Sequence, residues 1–127
     1  MKTARKFSKE QRTFIEAKAL LEVTQEAMNK KRKEIFKSKG INENDFSKEN
    51  IERMVDVDME LEEIYDFDRI YKLYTEASDR LIQWALEQVK HLPQYQENKE
   101  LLKILDDKTT RIIHRDKLTE IAMNLVI

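Results

Sequence analysis

Five carboxylates, Glu49, Glu52, Asp56, Glu60 and Glu63, recur at spacings of three, four, four and three residues. At about 100° per residue that spacing sets them in one column on a helix. Neighbours in such a column lie roughly 5–6 Å apart and repel. A repulsion repeated this often implies a compensating cation, and three sources are open. One is internal: Lys30, Lys33 and Lys37 form a basic column of their own and could lie alongside in an antiparallel hairpin. The second is a partner protein with a basic surface, for which a rigid row of carboxylates competes with phosphates. The third is a metal ion.

The metal reading has two forms. Asp56-Val57-Asp58-Met59-Glu60 starts like a calcium-binding EF-hand loop, but the sixth position, which needs glycine for its sharp turn, is Leu61. The second form is Glu60-Leu61-Glu62-Glu63, then twelve residues, then Glu76-Ala77-Ser78-Asp79. This ExxE…ExxD pattern resembles that of the all-α nucleotide pyrophosphatases related to MazG and dimeric dUTPase, over about twenty residues of the chain. The resemblance implies a Mg²⁺ ion held by Glu60, Glu63, Glu76 and Asp79 against a nucleoside triphosphate. Helical phase opposes it: Glu76 and Asp79 project roughly 140–160° from the apolar face of their helix, whereas a metal site in a bundle core needs them inward.

Other chemistry-bearing runs have simpler readings. Lys30-Lys31-Arg32-Lys33 is basic enough to suggest nucleic-acid binding. Four consecutive helical residues, however, fan around most of the helix, so only some could follow one phosphate backbone. His114-Arg115-Asp116 imitates a kinase catalytic loop, but a chain with one Gly holds no glycine-rich nucleotide loop. His91 and His114 are isolated from each other and suit helix-end or surface positions. The absence of Cys excludes disulfides, thiolate metal sites and Cys nucleophiles. Tyr65, Phe67, Tyr71, Tyr74, Trp84 and Tyr95 gather around one segment, mostly as core, with a subset suited to an interface.

These residues need elements to position them. Residues 55–68, VDVDMELEEIYDFD, alternate at first like a strand. Asp, Glu and Met are poor strand formers and no other segment offers a partner strand, so the stretch is expected to be helical. As a helix it has two apolar faces: Ile51, Val55 and Met59 on one, Met54, Val57, Leu61 and Ile64 on the other, with the carboxylates between. A single Gly and a single Pro in 127 residues favour long helices with short connections. Helices are expected over about 8–39, 47–65, 68–91 and 98–124. Ser8 to Gln11 form a capping box, Gly40 a left-handed C-cap, Ser47 an N-cap, and Pro93 a stop. A phase jump places a turn at Asp66-Phe67-Asp68, with Asp68 capping the third helix. Phe7, Phe14, Leu21, Met28 and Ile35 make the seam of the first helix. The fourth uses Leu101, Leu102, Ile104, Leu105, Ile112, Ile113, Leu118, Ile121, Ala122 and Leu125, with a defect near Lys108-Thr109-Thr110.

Charge is strongly segregated: 12 Lys/Arg against 5 Asp/Glu in residues 1–40, and 2 against 11 in residues 41–68. No apolar window is long enough to span a membrane, and no secretory signal core follows Met1, so a cytoplasmic location is expected. Together these features lead to an all-α chain, an antiparallel four-helix bundle in one domain. Its expected function is non-enzymatic: an adaptor or inhibitor binding a basic protein through Glu49, Glu52, Asp56, Glu60 and Glu63, without a cofactor. One form is a blocker of a nucleic-acid-binding protein. A homodimer is expected through exposed apolar surface of the second helix or the C-terminus. The alternatives are the Mg²⁺-dependent pyrophosphatase and direct nucleic-acid binding by the first helix.

Overall fold

A computed structural model of the chain describes residues 6–107, 109 and 113–126. Every regular element among them is helical: α1 (Lys9–Lys39), α2 (Lys48–Ile64), α3 (Phe67–His91), α4 (Pro93–Gln96), α5 (Lys99–Asp106) and α6 (Arg115–Met123). None is long and apolar enough to cross a membrane. The contacts divide the chain into two compact units, one drawing on Met1–Ala17 and Tyr74–Ile127, the other on Lys18–Leu73.

The second unit contains an antiparallel hairpin of α1 and α2, since Arg32 meets Asp58 and Arg53 meets Lys39. Its core is Phe36, Ile41, Val57 and Leu61, flanked by Met28, Ile35, Met54 and Tyr65. The link between the helices is built from local chemistry. Gly40 has φ 65°; its amide donates to the Lys37 carbonyl at 3.3 Å, and the Ile41 amide donates to Phe36 at 2.8 Å. That pair of bonds is a Schellman motif, in which the residue after the glycine packs back on the helix. Ile41, in the connection between the two helices, is therefore core. Buried Asn50 ties the rest of the loop down, its Nδ2 donating to the carbonyls of Asn42 at 2.6 Å and Asp45 at 2.8 Å. Ser47 caps α2 by accepting from the Asn50 amide.

Between α2 and α3 the turn comes slightly earlier than the phase jump suggested. Asp66 takes a left-handed φ of 52°, and Asp68 stands in the first turn of α3 instead of capping it. The Asp66 carboxylate accepts from Arg69 Nε at 2.6 Å.

The first unit packs Phe14 against Tyr74, ring centroids 5.7 Å apart, with Leu81, Ile82, Ala85, Val89, Leu105, Leu118 and Ala122 buried. Gln11 is 1% exposed. Its Oε1 accepts from the Ser8 amide, completing the capping box, while its Nε2 donates to the carbonyls of Ala122 and Leu125, each at 3.1 Å. One side chain thus closes the start of α1 and the open end of α6.

The helix expected over 98–124 is interrupted. Asp107 turns to φ −79°, ψ 105°, and its carboxylate accepts from the Thr109 amide at 2.9 Å, a local bond that competes with helix continuation. Ile113, expected in the core, is 66% exposed. Lys108, Thr110 and Ile112 lie outside the described residues, as does Ile127. Leu125 is buried but Val126 is exposed. Pro93 starts a single helical turn, α4, where a loop was expected; proline is well suited to a first helical position. Along α1, Leu20 is exposed while Gln11 and Thr24 are buried, so the seam passes through positions that a purely apolar pattern does not mark.

Candidate functional site

The candidate site is the outward surface of α2. The helix is fixed by Val57 and Leu61, which are buried, and by the Ser47 cap at its start. At about 100° per residue the carboxylates Glu49, Glu52, Asp56, Glu60 and Glu63 occupy an arc of roughly 80° on the side away from that core. All five are exposed. None of their side chains forms an ion pair or hydrogen bond among the described residues.

The internal cations do not reach them. Lys30, Lys33 and Lys37 make no ion pair among the described residues, because they project away from the seam marked by Phe36, Met28 and Ile35. The residue that faces α2 is Arg32. Its Nε donates to Asp58 Oδ1 at 2.7 Å and its Nη1 lies 3.5 Å from Glu43. The guanidinium carbon sits 4.3 Å above the Phe36 ring. Hydrophobic contact below and carboxylates beside it hold this arginine in a half-buried position that a lysine ammonium would fill poorly. Sequence reasoning missed Arg32 because nothing within Lys30-Lys31-Arg32-Lys33 marks which of the four cations faces α2.

Asp56 and Glu60 also border a depression of about 120 Å³, shared with Lys39, Ile41, Arg53 and Val57. Arg53 donates to the Lys39 carbonyl at 2.9 Å. It therefore closes the end of α1, and neither carboxylate has an ion pair among the described residues.

Beside the carboxylate column, Ile51, Val55 and Met59 are exposed, at 39%, 47% and 63%. Of the two apolar faces read from the sequence, only the one carrying Val57 and Leu61 is packed. Ile64, assigned to that inner face, is 65% exposed. Phe46, one residue before the Ser47 cap, is 79% exposed.

Among the described residues no three His, Asp or Glu side chains are grouped so as to hold a metal ion. Of the four pyrophosphatase-like carboxylates, Glu60, Glu63 and Glu76 are exposed. Asp79 is engaged by the Arg115 guanidinium, which also donates to Ser78 Oγ and to the Thr75 carbonyl. The neighbouring Asp116 accepts from the Tyr74 hydroxyl at 3.1 Å. His114-Arg115-Asp116 is thus an architectural staple that fastens the start of α6 to α3. His114 stands at the N-cap of α6 without a side-chain capping bond, and His91 ends α3.

No protein-family model, curated protein or solved structure matches the chain.

Proposed function

We propose that the protein is a non-enzymatic helical adaptor or inhibitor that binds a basic protein surface through α2. The observation that carries this reading is the exposed column Glu49, Glu52, Asp56, Glu60 and Glu63, with no cation of the described chain paired to it. Like charges at helical spacing are destabilising by a few tenths of a kcal/mol per pair. A partner that supplies Lys or Arg removes that repulsion and adds attraction, which speeds encounter more than it deepens affinity. One form of this function is occlusion of a nucleic-acid-binding groove. The reading takes the chain as a single cytoplasmic domain, an antiparallel four-helix bundle in outline. It includes a homodimer joined through apolar surface of α2 or of the C-terminal residues.

The test is affinity capture from the native host with the wild-type chain and with the triple variant Asp56→Lys, Glu60→Lys, Glu63→Lys. Loss of the captured partner at unchanged far-ultraviolet helicity supports the reading. Equal capture by both chains removes it.

A further inference from the structure

The carboxylate column is one half of the outward surface of α2; the other half is apolar. Ile51, Val55 and Met59 stand at i, i+4 and i+8, so their exposed side chains form a continuous ridge about 12 Å long. Single exposed apolar residues are ordinary. Three in line along an i±4 row make the kind of ridge over which a second helix packs. At helical spacing carboxylates border this ridge on both sides, Glu52, Asp56 and Glu60 on one and Asp58 and Glu62 on the other, with Glu63 at its end. Asp58 is the one of these that is ion-paired, through Arg32.

We propose that this ridge is the docking site for an amphipathic helix of a partner protein, one carrying Leu-like residues at i, i+4 and i+8 flanked by Lys or Arg. The proposal rests on the function given above and specifies the recognised element. Charge complementarity selects the occupant. A basic helix matches the apolar line and both acidic borders at once. An acidic or neutral helix would desolvate these carboxylates without compensation. A second copy presenting its own α2 ridge would set carboxylates against carboxylates, which leaves the C-terminal residues as the better surface for self-association. Helix-in-groove recognition of this kind reads residues at i, i+4 and i+8 as anchors and charges as specificity.

The experiment uses the full chain and three fluorescent probes measured by anisotropy. The first is a helix-forming peptide of roughly 18 residues, long enough to hold helix on binding, with Leu at i, i+4 and i+8 and Lys or Arg beside them. The second is its composition-matched scramble and the third is oligolysine. The ordered peptide is expected to bind at least about tenfold more tightly than either control. The double variant Val55→Gln, Met59→Gln, which keeps charge and does not lower helix propensity, is expected to lose at least about tenfold for the ordered peptide while binding oligolysine unchanged. Equal binding of all three probes, or an unaltered double variant, overturns the proposal but leaves the acidic-surface function standing. Binding of no basic probe overturns both. A wild-type dimer that the double variant converts to a monomer, by light scattering, assigns the ridge to a second copy and overturns the proposal as well.

Discussion

Arg32 and Asp58 meet at 2.7 Å across the α1–α2 hairpin, although they are 26 residues apart and Lys30, Lys33 and Lys37 make no ion pair among the described residues. The pair is partly exposed, so its charge alone contributes about 0–1 kcal/mol. Contact with the Phe36 ring adds about 0.5–1 kcal/mol. Arg32→Ala is expected to lower stability by about 1–2 kcal/mol in urea unfolding, and Arg32→Lys by less. A double-mutant cycle with Asp58→Ala is expected to return a coupling of about 0.5–1 kcal/mol; zero coupling would assign the whole effect to packing.

Gln11 is a buried polar anchor of the first unit. Truncation to Ala removes the side-chain donor from the buried carbonyls of Ala122 and Leu125, at about 1–3 kcal/mol. Gln11→Glu is expected to be more damaging, because a carboxylate offers only acceptors to those carbonyls. Hydrogen exchange at the end of α6 is expected to accelerate in both variants ahead of exchange in α2.

Arg115 gives a third expectation. Its Nη1 serves the Thr75 carbonyl, Ser78 Oγ and the Asp79 carboxylate. Arg115→Ala is expected to cost about 1.5–3 kcal/mol, in the range of hydrogen bonds to charged groups. Tyr74→Phe keeps the ring on Phe14 and loses the bond to Asp116, about 1 kcal/mol. Denaturant midpoints that rank these two variants the other way would contradict the staple.

Two left-handed residues predict opposite responses. At Gly40 nothing lies within 4 Å of an added Cβ, so Gly40→Ala is expected to cost only backbone strain, about 1–2 kcal/mol. Asp66 already carries that strain, and Asp66→Gly relieves it while losing an exposed pair to Arg69. Its thermal midpoint is expected to stay within a few degrees of wild type, whereas Asp66→Val is expected to fall clearly below it.

The all-helical character and the main helix ends were legible because caps are local. Ser8, Gly40, Ser47 and Pro93 each act within a few residues of where they stand. Legibility failed where a polar side chain occupies an inner position. Gln11 and Arg32 are polar by type, yet one reaches carbonyls more than a hundred residues away and the other lies on an aromatic ring. Apolar periodicity cannot register either. Ile41 was hidden for a different reason: its inward direction follows from the Gly40 turn and not from any helical phase. For the candidate site, the sequence showed the two apolar faces of α2 and the carboxylates between them. Which face stays open depends on packing, and that information lies in the partners of α2.

The Gln11 clamp also bears on the order of assembly. Arg32 and Asp58 close a segment of 26 residues, which the growing chain can do early. Gln11 must wait for Ala122, across 111 residues. Loop-closure entropy grows with that separation, and synthesis from the N-terminus delays the longer closure further. The α1–α2 hairpin therefore has the shorter closure, and the contact of Gln11 with Ala122 is the later one to form.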